Sequence, residues 1–336
     1  MTTSSFRTND DDPGQETIGP ITRSKRRPIF KITSLNTNGL ASNQQLSKKE
    51  EIVDNMIHDK ILATCVQETH RIGNDMEEIK NHLFLYHGPP TICKDDKRGV
   101  VGIILSPSGI KAWKQAGNPE PHRFGMLAHT TRMMHIDLHI KDSCNAPLKL
   151  RLYCCYFPHS GFDENEYNEC ILALQQSIEN CPHDTSIIIA GNFNASIGIR
   201  SSYPAESNVT KCLGPTGNPH TNRRGEIVMD LLTSKHLCAI NTFYKSKNDV
   251  HNTHWNHRIN KARQLDHFFI HQKFQKAITF AGVDGNACTH SDHSAIAIKF
   301  RVAAFIPKKG LTPHPNRKKR DEKKLTIGKT PKIQQP

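Results

Sequence analysis

Residues 186–196 read SIIIAGNFNAS. Ser186–Ala190 is a short apolar run stopped by Gly191, too brief for a helix, and reads as a strand buried on both faces. The run passes directly into two amides, Asn192 and Asn194. That junction is informative, because in α/β sheets ligand sites form where strands end and loops converge. The same placement recurs at four other apolar runs. Phe30–Leu35 leads to Asn36 and Asn38, Ile61–Val66 leads to Glu68, Asp266 lies in Gln264–Ile270, and Asp292/His293 abut Ser294–Val302. Each polar group alone reads as a solvated loop or a helix cap; their order along the chain points to one site.

The remaining pattern fills in the layers. Leu46–His58 is a predicted helix, with Ser47 and Glu50 spaced as a capping box. Asp163–Asn180 carries Tyr167, Ile171, Leu174 and Ile178 on one helical face, and Glu226–His236 reads as another helix. Val100–Leu105, Met133–Ile140 and Leu148–Phe157 read as further strands. Helices alternating with apolar strands, together with adjacent strand pairs, imply an α/β domain with more than one sheet over residues 29–306. Trp255 and Phe243 read as core, and Cys154–Cys155 as strand packing.

Composition narrows the function. The chain has 336 residues, 36% hydrophobic and 23% charged, with a net charge of +13, enough apolar material for a packed core. No run approaches the roughly 18 apolar residues of a membrane span, and the first residues lack the apolar segment of a secretory signal. Ten cysteines without a CxxC pair suit a reducing compartment, so an intracellular site, nucleus or cytoplasm, is expected. None of the twenty histidines sits with a Cys pair at zinc spacing, and His251, His254 and His257 lie in a polar, loop-like run, so no zinc is expected. Residues 307–336 hold ten Lys/Arg against two acidic groups, a net +8, and residues 1–28 contribute +1. Both segments read as disordered, the tail either as an electrostatic arm or import signal for a nucleic-acid-binding protein, or as a solvated linker.

The motifs SLNTNGL (34–40), VQETH (66–70), YFPHSG (156–161), AGNFNAS (190–196), QLDHFF (264–269) and HSDHSA (290–295), in this order, resemble the endonuclease/exonuclease/phosphatase superfamily. GNPHTNRRGEIVMDLL (217–232), INTFY (240–244) and THW (253–255) resemble its LINE-type non-LTR retrotransposon endonucleases, which are similar to abasic-site endonucleases. The resemblance covers residues 29–302 and implies a two-sheet, four-layer α/β sandwich flanked by helices. It implies a Mg²⁺-dependent phosphodiesterase, with Mn²⁺ as substitute, that nicks DNA by attack of water on phosphorus. A reverse transcriptase domain in a longer parent element is the implied partner.

By the same resemblance Glu68 matches the metal-ligating carboxylate, Asn36 the amide supporting it, and Asp292 an acidic group for metal or water. His293 matches the imidazole beside the scissile phosphate and Asp266 the carboxylate that orients it. Tyr156 matches a phosphate-binding phenol and Asn194 an amide that positions phosphate or water. Arg223 and Arg224 read either as backbone contacts to DNA or as a solvated turn. Tyr153, three residues before Tyr156, is the competing core assignment. Two positions depart from the pattern. His159 stands where Asn is usual, and an imidazole still donates to phosphate. Asn192 stands where the pattern has Asp, and an amide cannot exchange a proton. Acid–base help is worth ~10²–10⁴-fold, so the alternative to a nicking enzyme is a weakened or inactive nucleic-acid-binding domain. A phosphatase acting on another phosphoester is the remaining reading.

Overall fold

The computed structural model describes residues 28–40, 46–89, 100–123, 132–141, 147–246, 249–284 and 291–305. The N-terminal segment and the basic tail expected from composition lie outside the described residues.

In chain order the strands and helices are β1 Phe30–Asn36, α1 Leu46–His58, β2 Ala63–Gln67, β3 Asn74–Ile79, β4 His82–His87, β5 Val101–Leu105, α2 Pro107–Gln115, β6 His122–Arg123, β7 Met133–Lys141, β8 Pro147–Tyr156, α3 Glu164–Glu179, β9 Ser186–Asn192, α4 Arg223–Ser234, β10 Leu237–Ala239, β11 His254–Asn256, β12 Lys261–Arg263, β13 Asp266–His271, β14 Ile278–Val283 and β15 Ile296–Phe300. They build a seven-stranded sheet, β14-β15-β1-β2-β5-β4-β3, a six-stranded sheet, β10-β13-β9-β8-β7-β6, and a two-stranded hairpin, β11-β12. Among the described residues only β1–β2 and β8–β9 pair in parallel. Each of these pairs needs a crossover, and α1 and α3 supply them.

The triple isoleucine of β9 shows how the layers form. Ile188 faces the core between the sheets, with Ile32, Ile103, Leu152, Phe268 and Ile298. Ile187 and Ile189 face the opposite way, into a second core with Tyr167 and Leu174 of α3 and Val228 and Leu232 of α4. On the far side, Ile52, Val53 and Met56 of α1 cover Leu35, Val66 and Ile104. The result is a four-layer α/β sandwich, helix–sheet–sheet–helix. Period-two alternation combined with burial on both faces is why β9 reads as a continuous apolar run.

Gly191 is needed where it stands. Its φ is +156°, and a Cβ there would lie 1.9 Å from the carbonyl oxygen of Cys155 on β8. Gly191→Ala is expected to cost about 3 kcal/mol by forcing the neighbouring strand away, read as a shift in denaturation midpoint. A variant as stable as its parent would contradict this close approach.

Several elements differ from expectation. Helix α4 begins at Arg223, ahead of the expected Glu226, because Asn222 caps it, its Oδ1 accepting from Gly225 N at 2.8 Å. Helix α1 begins at Leu46, so Ser47 lies inside the first turn and not at the cap. Trp255 is 42% exposed, correcting its assignment to the core: β11–β12 joins neither main sheet, so no second layer covers it. Phe243 does pack against the inter-sheet core, and Cys154 and Cys155 are buried. Among the described residues no helix is long and apolar enough to cross a membrane.

Candidate active site

The strand ends converge because of register. Asn192, last in β9, pairs with Tyr156 on β8 and with Asp266, the first residue of the antiparallel β13. In the other sheet Asn36 pairs with Gln67 at the parallel ends of β1 and β2, placing Glu68 next to it. β15 runs antiparallel to β1, so Asp292 and His293, which precede it, return to this same edge. Glu68, Tyr156, His159, Asn192, Asn194, Arg224, Asp292 and His293 therefore line one cavity of about 410 Å³ between the two sheets. A larger cavity of about 570 Å³ lies elsewhere, beside α3, lined by His122, His135 and the Asp137–Arg151 ion pair, and holds none of these groups.

Asn36 and Glu68 form a unit. Asn36 Nδ2 donates to Glu68 Oε1 at 2.9 Å, and Asn36 Oδ1 accepts from Asn38 N at 3.2 Å. Glu68 has a φ of +52°, a left-handed conformation costly for a residue with a Cβ. Thr37, Gly39 and Leu40 hold it there, their amides donating to the carbonyls of Gln67, Glu68 and Thr69. Asn194 is also left-handed, at φ +48°, which asparagine tolerates. Its N–H donates to Asn192 Oδ1 at 2.8 Å and its Nδ2 to Phe157 O at 2.7 Å.

His293 Nδ1 lies 2.8 Å from Asp266 Oδ2, both groups buried. Burial alone would lower the pKa of this imidazole, but the charge and hydrogen bond of Asp266, joined by Asp292 and Glu68, outweigh it and hold the group above its ordinary value. Asp266 is placed by Thr253, whose Oγ1 accepts from the amides of Leu265 and Asp266 at 3.0 Å each. The carboxyl of Asp292 is held below its ordinary value, first by the facing His254, against the opposing effect of burial.

Strand alternation separates the two tyrosines of β8. Tyr153 faces α3, its hydroxyl donating to Ser177 O at 3.1 Å, whereas Tyr156 faces the inter-sheet side and the cavity. Arg224 is held by the carbonyls of Pro158 and Phe162 and lies over the Tyr167 ring while lining the cavity. Arg223 points elsewhere, to the exposed Glu164 at 2.6 Å, and does not line it.

His267, next to Asp266, is fully buried, and burial pulls its pKa down to about 4 against the opposing charge of Asp266 and the hydrogen bonds of the Ala195 and Gln264 backbone. A histidine kept neutral in the fold binds protons more readily once unfolded. Its contribution is complete above pH 6.5 and is lost as pH falls from there to about 4, a loss of about 3 kcal/mol. Thermal melts between pH 7 and 4 should therefore fall less steeply for His267→Gln than for the unaltered protein. Parallel curves would contradict this.

Solved structures of other proteins share this arrangement of sheets and helices. The AP endonuclease LMAP from Leishmania major superposes with a TM-score of 0.57 at 15% identity, covering 81% of this chain and 88% of that one. The endonuclease domain of TRAS1, a telomere-specific non-LTR retrotransposon, gives 0.51 at 14%, covering 82% and 99%. An endonuclease/exonuclease/phosphatase family protein from Leptotrichia buccalis gives 0.52 at 13%, covering 81% and 99%. This is the endonuclease/exonuclease/phosphatase fold. No family model and no curated protein matches the chain.

On this fold the donor set can be tested against a metal. One carboxylate, Glu68, is pinned by an amide and a second, Asp292, lines the same cavity. That suits Mg²⁺, which keeps most of its waters and takes one or two carboxylates. Among the described residues no three His, Cys, Asp or Glu are grouped so as to hold a metal ion by themselves. Cavity residues to which the sequence assigned no role include His254, Asn222, Asn256, Ile259 and Arg263. The motif Thr253-His254-Trp255 was the available signal for the first of them.

Proposed function

We propose that residues 29–306 form a Mg²⁺-dependent phosphodiesterase that nicks DNA and that the replacement at Asn192 has slowed. The observation that carries this reading is the gathering of Glu68, Tyr156, Asn192, Asn194, Asp292 and His293, from both sheets, on one cavity with the buried Asp266–His293 pair behind it.

The chain's own groups divide the work. His293 uses Nδ1 for Asp266, which leaves Nε2 for a phosphate oxygen. The Asp266 carboxylate behind the ring favours its cationic form, which would stabilise charge developing on phosphorus. Tyr156 and His159 offer further hydrogen-bonding groups to the phosphate, and the anchored Asn194 orients phosphate or water. Glu68, held by Asn36, and Asp292 would carry the cation. When bound, Mg²⁺ or its substitute Mn²⁺ supplies charge stabilisation at the phosphoryl oxygens. Asn192 is where the arrangement lacks a proton-exchanging group. That residue equally favours a second reading, a domain that binds nucleic acid without cutting it. A reverse transcriptase in a longer parent element remains the proposed partner.

Relaxation of supercoiled plasmid by the unaltered protein and by Asn192→Asp, with Mg²⁺ or with EDTA, separates the readings. Mg²⁺-dependent nicking by the unaltered protein supports the slowed enzyme. Salt-sensitive DNA binding with no nicking by the unaltered protein supports the binding domain, one that has lost a single catalytic group if Asn192→Asp nicks.

A further inference from the structure

His254 stands opposite His293 across an isolated antiparallel bridge between two segments that share no sheet. Trp255 N donates to Asp292 O at 3.0 Å, and Ser294 N donates to Thr253 O at 2.7 Å. These bonds flank the 254/293 pair without joining it. It is therefore the non-hydrogen-bonded kind of pair, in which side chains approach most closely. The two ring centroids lie 4.7 Å apart, inclined at 46°, and His254 Nε2 is 3.6 Å from Asp292 Oδ2. His254 Nδ1 is buried with no hydrogen-bond partner among the described residues, and the ring lines the cavity with Glu68, Asn192 and Asn194.

Among the described residues the His293 ring makes one hydrogen bond, to Asp266, which fixes one ring atom but not the plane of the ring. A second ring against its face removes that freedom. We propose that His254 is a positioning residue, its ring fixing the plane of His293 and its Nε2 side steadying the Asp292 carboxylate. Because His254 opens β11, the β11–β12 hairpin and the cavity then form one unit. The role in turnover rests on the phosphodiesterase reading; the ordering of His293 does not.

The test uses the full chain with Asn192→Asp, so that turnover is measurable, and adds His254→Ala, His254→Phe or His254→Gln. Phe keeps a ring against His293, and Gln keeps a polar group toward Asp292. His254→Ala is expected to lower kcat by about 10–100-fold with KM changed less than about twofold, and Phe and Gln should each recover part of the loss. A rise in KM alone, or no change, overturns the proposal. A second readout needs no activity: the downfield proton resonance of the His293 Nδ1–H···Asp266 hydrogen bond. It should broaden in His254→Ala and stay sharp in His254→Phe; an unchanged resonance in His254→Ala overturns the positioning role even if no variant nicks DNA. Absence of nicking throughout, with the resonance responding as expected, removes the phosphodiesterase reading and leaves His254 as the residue that orders His293.

Discussion

Asn192→Asp is expected to raise the rate of Mg²⁺-dependent nicking by ~10²–10⁴-fold, the range that a placed acid–base group contributes. The substitution should leave the local fold intact. Asn192 Oδ1 accepts from the Asn194 amide at 2.8 Å, and a carboxylate oxygen accepts there equally well. The chemical change is thus confined to the other atom, from an NH₂ donor to an oxygen that can take or give a proton. A cost accompanies it. Asp266 is the register partner of Asn192, so the new carboxylate faces an existing one. Like charges opposed across strands destabilise by up to about 1 kcal/mol, a fall in Tm of about 2–4 °C in a domain of this size. Initial nicking rates and melting curves check both parts. A folded variant with an unchanged rate would mean that the amide at 192 is not what limits turnover.

Asp266→Asn, introduced beside Asn192→Asp, is expected to lower kcat by at least ~10²-fold. Asp266 is 1% exposed, its Oδ2 serves His293, and its Oδ1 has no hydrogen-bond partner among the described residues. Its charge is therefore balanced within the site chiefly by the imidazole, and the imidazole is orientated by it. An amide keeps the volume but not the charge. The burial that lowers the pKa of His293 would then lose its main opponent, and the ring would favour its neutral form. Loss of this charge-assisted bond should also cost about 1–3 kcal/mol of stability. Single-turnover cleavage and denaturation of the same preparation separate the two effects. A variant that loses stability but not kcat would make Asp266 structural only.

Much of the fold was legible because burial leaves a simple trace. Ser186–Ala190 is apolar on both faces since helices cover one side and a sheet the other, and α3 carries its apolar stripe at 3.6-residue spacing. Elements without such a trace went unread. β3, NDMEEI, is an edge strand with Met76 exposed and charges between, so no alternation marks it. Helix α2 is nine residues long, although Ser106 and Pro107 sit as cap and first position. The site followed the same rule. Polar groups that directly abut buried strands, Asn36, Glu68, Asn192 and Asp266, stood out against their apolar neighbours. His254 did not, because it sits in a short hairpin of polar residues that joins neither main sheet. Nor could spacing divide Arg223 from Arg224: the start of α4 at Arg223 sends one side chain to Glu164 and the other to the cavity.

Hydrolysis of phosphodiesters in this cavity, with a cation held at Glu68, stands or falls on plasmid nicking in Mg²⁺ by Asn192→Asp compared with the double variant Asn192→Asp/Glu68→Gln. Nicking that EDTA abolishes is expected for the first protein, and none above background for the second. Equal nicking by the two would place the chemistry outside this site and contradict the proposed function.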